Sequence, residues 1–443
     1  MERLAAKLSD RMSFDPNRLL LRARGMAVFR GVLDSNAGRD LLTLLGLLAA
    51  EHPDPVVIAD VFGRVWGELT AESENLLPDA WQSYLVGRVL DDENAFSLGA
   101  ERGETLPAAV EQVRRDLHTL RELFAVDAEV LLEAVESLPG LSGVWAPWRD
   151  SGSKVGASPR SALARRLAAA SDWSSLVETL ADYYSLHGAG LFGRYRAFRW
   201  EGGILRAVSH PDPVHLSDLI GYEREREPLV KNTERLLLRL PSHNALLYGL
   251  PGTGKSSTVK AVLNEYADRG LRLAELSKKD LKDLPQVLEA LRSRGLSFIL
   301  FVDDLSFEED ETEYKSLKAL LEGSVEEPPA NVKVYATSNR RNLIRERFSE
   351  RDEGEADDVH GRDTMQEKLS LSARFGLRLT FPSPDQKRYL EIVFGLARGR
   401  GLKVPTEILE ERALLWDRWH AGRSGRTARQ FIDELEAELS SRP

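Results

Sequence analysis

Cysteine is absent from the 443 residues. This excludes disulfides, thiolate chemistry and sulfur-ligated zinc or iron-sulfur centres, and fits a reducing compartment. Long apolar runs are absent as well: none approaches the 18 or so residues of a membrane span. The start, Met1 to Lys7, is charged and has no apolar stretch behind it, so no membrane insertion and a cytoplasmic location are expected. No fixed-period repeat is present. The histidines show no metal-ligand spacing, and His210 and His215 straddle prolines in a connector. Positive charge is in deficit: 60 Lys and Arg stand against 70 Asp and Glu, a net charge of -10. That argues against general, charge-driven adhesion to nucleic acid but leaves room for a local basic groove.

What is present is enough for several cores. The length suggests roughly two or three domains, and 42% apolar with 29% charged residues rules against wholesale disorder. From 17 to about 190 apolar residues recur at three- and four-residue spacing, as in Leu41, Leu44, Leu45 and Leu48 and again in Leu117, Leu120, Leu123 and Phe124, so this part reads as helical. Stops fall at His52 to Pro55 and at Pro139-Gly140, and 149–159 reads as an exposed loop. Two extended stretches, 194–200 and 204–208, flank Glu201-Gly202-Gly203 as a hairpin, and 209–214 connects onward. From Leu216 short β-rich runs alternate with helical ones, the sign of a parallel sheet with crossover helices. Strands are expected at 245–248, 271–276, 298–302, 332–337 and 377–381, then helices at 386–397, 406–419 and 427–439. The expected organisation is α/β: a mostly helical domain (1–190), a hairpin and connector (191–215), a P-loop core with a five-stranded parallel sheet (216–382) and a small helical lid (383–443).

The chemistry concentrates in the second half. Gly249, Leu250, Pro251, Gly252, Thr253, Gly254, Lys255 and Ser256, with Ser257 beside them, follow a strand and open a helix, the context of a phosphate-binding loop. Glycines let main-chain amides turn toward a phosphate, Lys255 neutralises the outer phosphates, and Ser256 can ligate magnesium. The apolar strand 297–302 ends in Asp303 and Asp304, where ligands sit in open α/β sheets. Asp303 suits a magnesium ion and Asp304 the polarisation of an attacking water; the alternative is that both cap the following helix. Asn339, at the end of 332–338, can orient the water or serve a turn. Arg374 is a candidate finger for a neighbouring subunit, or one half of a surface ion pair. Arg426 opens the last helix, from which a cation could reach the γ phosphate; Arg429, one turn later, competes for that role.

Other features are plainer. Phe192 to Trp200 interleaves cations and aromatics, as single-strand nucleic-acid surfaces do, but a hairpin with one aromatic face inward gives the same pattern. Arg340, Arg341, Arg345 and Arg347 line a pore or pair with nearby acids. The acidic runs 308–311 and 352–358 read as solvated loops.

These residues resemble the AAA+ ATPases. The stretch from about 200 to 381 resembles a bacterial family of ATP-binding proteins known as a domain of unknown function, through Asp303 to Glu308, Leu317-Lys318-Ala319, Leu321-Glu322-Gly323, Tyr335 to Arg341, Glu367 to Leu371 and Arg374-Phe375-Gly376. The resemblance implies Walker A at Lys255 and Ser256, Walker B at Asp303 and Asp304, sensor 1 at Asn339, the finger at Arg374 and sensor 2 at Arg426. It also implies that Leu219 to Tyr222, with Ile220 and Tyr222, packs on adenine, favouring ATP over GTP. In most such proteins the second Walker B acid is glutamate, so the shorter Asp304 bears on hydrolysis. The expectation is a magnesium- and ATP-dependent ATPase, a homo-oligomer that remodels or loads a macromolecular partner, protein or nucleic acid. The alternatives are a nucleotide-gated switch with negligible hydrolysis and a DNA-associated motor or loader.

Overall fold

The computed structural model describes residues 14–72, 75–104, 107–146, 158–307, 314–322, 328–339, 371–420 and 422–440. By internal contacts the chain divides into two units, Met1–Arg194 and Tyr195–Pro443.

The first unit is helical throughout its described residues: α1 (Pro16–Arg24), α2 (Asn36–Leu48), α3 (Pro55–Glu72), α4 (Ala80–Asp91), α5 (Ala95–Glu101), α6 (Pro107–Ala125), α7 (Ala128–Glu136), α8 (Pro159–Ala169), α9 (Val177–His187) and α10 (Gly190–Arg194). The three- and four-residue spacing puts Leu41, Leu44 and Leu45 of α2 and Leu117, Leu120 and Leu123 of α6 into one core with Phe62, Trp81, Trp173 and Tyr184. A half-buried acid and a buried one tie the connections. Asp79 caps α4 through the Gln82 amide and also accepts from the Ala128 amide at the start of α7, while Asp116, 1% exposed, accepts from the amides of Val28 and Phe29. A carboxylate buried that deeply is tolerable because main-chain donors satisfy it.

The second unit is built on a sheet of seven strands: β1 (Ala197–Glu201), β2 (Ile204–Ala207), β3 (Ala245–Gly249), β4 (Leu271–Glu275), β5 (Ser297–Val302), β6 (Val332–Ser338) and β7 (Leu377–Phe381), in the order β2-β1-β4-β5-β6-β3-β7. All pairs are parallel except β1 with β2. Every residue of β5 is buried, as a strand covered on both faces requires. The covering helices are α11 (Glu223–Leu237), α12 (Lys255–Tyr266), α13 (Leu284–Arg292) and α14 (Tyr314–Glu322). Helices α15 (Gln386–Gly399), α16 (Thr406–Trp419) and α17 (Gly425–Ser440) follow the last strand.

The five expected parallel strands are all present, and the two strands of the hairpin extend their sheet to seven. The hairpin is not a bare connector: β1 joins the sheet parallel to β4, with Phe198 opposite Ala274. Its alternation explains why. Phe198 and Trp200 are buried, and Arg199 on the other face pairs with Glu275 of β4 at 3.1 Å.

Candidate nucleotide site

The site forms at the carboxyl ends of the central strands. The registers Tyr248↔Ser338 and Gly249↔Phe381 align the ends of β3, β6 and β7, and Val302↔Ala336 brings the residues after β5 alongside. At Gly249, φ is 151° and a Cβ would stand 2.0 Å from the Phe381 carbonyl oxygen, so the pairing of β3 with β7 admits no side chain there. The chain then wraps through Gly254, left-handed at φ 89°, into the N-terminus of α12. Main-chain amides in such a loop, at the positive end of a 12-residue helix, form an anion cradle. A second helix start meets it: the Gly425 amide, opening α17, donates to the Gly252 carbonyl at 2.9 Å.

Lys255 is 6% exposed, and its ammonium donates to the carbonyls of Gly249 (2.8 Å) and Leu250 (2.9 Å) and to Asn339 Oδ1 (3.1 Å). Burial holds its pKa below the ordinary lysine value; the charges of Asp303 and Asp304 oppose this and that of Arg426 adds to it. Two cations facing one loop make a place where an anion relieves mutual repulsion. Ser256 Oγ donates to Asp303 Oδ1 at 2.6 Å, and Thr337 Oγ1 donates to the same oxygen at 2.5 Å. The Asp303 carboxylate is thus turned onto the loop, away from the helix-cap alternative. Asp304 accepts from the Asn339 amide at 2.7 Å and donates its own N–H to Thr337 Oγ1 at 2.9 Å.

These groups line a cavity of about 400 Å³ that also takes in Ile220, Tyr222, Arg426 and Arg429. Away from the cations its wall is largely apolar: Leu219 and Ile220 from the segment before α11 face Ile392 and Leu396 of α15. Gly395 lets the Ile220 side chain dock, since a Cβ there would lie 2.4 Å from it. Tyr222 stacks on Phe381 with ring centroids 5.6 Å apart, under the Arg388 guanidinium at 4.3 Å. A cradle for phosphates, a hydroxyl–carboxylate pair for a divalent cation and an apolar slot for a base together fit a magnesium-bound nucleoside triphosphate.

Thr337, Asp218 and Arg226 line the cavity too and were not singled out in the sequence. Thr337 was accessible to that reading: it lies two residues before Asn339, hence on the same side of β6. Arg226 was not, because its partners are main-chain carbonyls.

Arg374 is not brought into the cavity. It is half-buried between the buried Leu371 and Phe375, before β7 and so at the amino-terminal end of the sheet. The five-residue strand alone puts roughly 13 Å between that end and the loop, at about 3.3 Å per residue. In the hairpin the aromatic face is inward and Arg199 is ion-paired, the sheet alternative to a nucleic-acid surface. Arg340, Arg341, Arg345 and Arg347, the acidic runs 308–311 and 352–358 and most of the loop 149–159 lie outside the described residues. Among those described, no helix is long and apolar enough to cross a membrane.

Fold and site define an AAA+ ATPase-like nucleotide-binding protein. The chain belongs to the DUF815 family, described as a protein of unknown function, which matches residues 193–439, from just before β1 to the last helix. It is similar to the 26S proteasome regulatory subunit 6B homolog of Encephalitozoon cuniculi, 25% identical over 303 residues that cover 62% of this chain and 72% of that one. It is also similar to a probable spastin homolog of Brugia malayi, 28% identical over 121 residues, 24% of this chain and 27% of the other. Among solved structures, a mutant RuvB of Thermotoga maritima aligns with TM-score 0.37 and 18% identity, over 52% of this chain and 67% of that one.

Proposed function

We propose that the chain binds magnesium-ATP in this cavity and hydrolyses it at a site completed by Arg374 of a second copy, using the cycle to remodel or load a macromolecular partner. The observation that carries the reading is the single hydrogen-bonded network joining Lys255, Asn339 and Asp304 beside the Ser256–Asp303 pair. Lys255 and Arg426 hold the phosphates. Asp304 takes a proton from the attacking water as its oxygen bonds to the γ phosphorus and the bond to the β-γ bridging oxygen breaks, releasing ADP and phosphate. Asn339 orients that water. A magnesium ion held by Ser256 and Asp303 would neutralise charge on the outer phosphates. Arg374 serves from the neighbouring copy, because its own site lies at the other end of the sheet. The helical first unit is the region assigned to partner recognition.

The experiment is phosphate release from magnesium-ATP by the wild type, Lys255→Ala and Asp304→Asn. Steady turnover by the wild type alone is expected, with Lys255→Ala failing to bind ATP and Asp304→Asn binding without turnover. A wild type that binds ATP but releases no phosphate, with or without added DNA or protein, sinks the hydrolytic reading. It favours instead a nucleotide-gated switch, which the short Asp304 side chain, held by Asn339, supports.

A further inference from the structure

The turn that enters α11 has two consecutive residues with left-handed backbone, Gly221 at φ 72° and Tyr222 at φ 62°. For tyrosine this costs about 1–2 kcal/mol, and such a conformation persists only where its surroundings over-determine it. They do so from two sides. Tyr222 Oη donates to the Pro382 carbonyl at 2.7 Å, with Phe381 and Arg388 against its ring. From the other side Arg226, one turn into α11, donates one guanidinium N–H to the Gly221 carbonyl and another to the Leu219 carbonyl at 2.7 Å.

Arg226 is 7% exposed and borders the nucleotide cavity. A guanidinium is costly to bury unless its donors are met. Here two of its acceptors are the carbonyls of the residues on either side of Ile220, so the fork holds the Leu219–Ile220 peptide, which carries the Ile220 N–H, and the Gly221–Tyr222 peptide, with the Ile220 carbonyl in the peptide between them; the Ile220 side chain is wedged against Gly395 and lines the cavity. Exposed Glu223 adds a contact at 3.4 Å.

We infer that Arg226 is a positioning residue for base recognition: by pinning the Leu219 and Gly221 carbonyls it presents the Ile220 main chain in one orientation, suited to a 6-aminopurine. This rests on the cavity taking ATP. One residue offers one N–H and one C=O. Adenine presents a ring-nitrogen acceptor beside an amino donor, and guanine presents the reverse, a ring N–H beside a carbonyl. A fixed donor–acceptor pair therefore accepts one base and leaves polar groups unpaired against the other, which is how a site rejects a near-isostere strongly. Released from the fork, the peptide can turn to suit either base. Lysine cannot substitute, because its compact ammonium lacks the planar spread of donors.

The test is titration of magnesium-ATP, magnesium-GTP and magnesium-tripolyphosphate against the wild type, Arg226→Lys and Arg226→Gln, with thermal midpoints measured without ligand. The wild type is expected to favour ATP over GTP by about tenfold or more, equivalent to about 1.4 kcal/mol. Both variants should lose most of that preference through weaker ATP binding while tripolyphosphate binds as before. Arg226→Lys, the milder change, carries the test if Arg226→Gln does not fold. An unchanged ATP to GTP ratio in the folded variants overturns the inference, as does tripolyphosphate binding that falls in step with ATP, the mark of a merely structural role. A wild type that binds ATP no more tightly than tripolyphosphate overturns the ATP reading itself, and this one with it.

Discussion

The side-chain amide of Asn339 donates to Asp304 Oδ1 at 2.7 Å, so the residue just past the end of β6 holds the carboxylate that follows β5. On the proposed mechanism this contact aligns the carboxylate that takes the proton. Asn339→Ala is expected to lower kcat by about 10²-fold or more while changing ATP affinity by less than tenfold. Asn339→Asp, which replaces the donating amide with a like charge beside Asp304, should lower kcat at least as far. Phosphate release and ATP titration of the two variants check both expectations.

Asp304 has left-handed backbone, φ 53°, a conformation that Asp and Asn tolerate better than longer side chains. The aspartate at the position where glutamate is usual in similar proteins thus has a local cause. Asp304→Asn should keep the thermal midpoint within a degree or two. Asp304→Glu should destabilise by about 1 kcal/mol, whatever it does to turnover. Equal midpoints for the two variants would remove this explanation.

Gly249 and Gly254 both have positive φ, but a side chain at Gly249 meets the Phe381 carbonyl whereas one at Gly254 meets open space. Gly249→Ala is expected to cost roughly 3 kcal/mol or more by forcing β3 and β7 apart. Gly254→Ala should cost only about 1–2 kcal/mol. Urea denaturation of the two variants checks the order.

Arg374 stands at the opposite end of the sheet from its own loop. Arg374→Ala should therefore bind ATP like the wild type and fail in hydrolysis. Mixed with Lys255→Ala, it should recover activity that neither has alone, since each supplies what the other lacks. Turnover by Arg374→Ala at the wild-type rate would place the missing cation elsewhere.

Much of this is legible in the sequence. The phosphate loop, the strand ending in Asp303 and Asp304, and the helices after β7 are written in short-range patterns: glycine spacing, a five-residue apolar run from Phe298 to Val302, apolar residues three and four apart. What escaped depends on partners far along the chain. The hairpin could be recognised, but not that β1 lies against β4, because that pairing joins residues more than 70 positions apart. Thr337 looked like a strand residue until register set it against Asp303. Arg226 is one charge among several on a helix whose acids and bases balance, and only its carbonyl partners give it a role. The left-handed backbone at Asp304 has no signature in composition at all.

The hairpin has a practical consequence for handling the protein. A fragment begun at Leu216, where the α/β pattern starts, would lack β1 and leave Leu271–Glu275 as a bare edge of unpaired main-chain groups, four of its five residues apolar or normally buried. Such an edge recruits other chains. In the intact protein the rim is instead β2, four residues long and only half-covered, with Arg206 reaching Glu201 across the turn, a short charged border that offers little to build on. Expression begun at Tyr195 should give dispersed protein, and expression begun at Leu216 should give inclusion bodies.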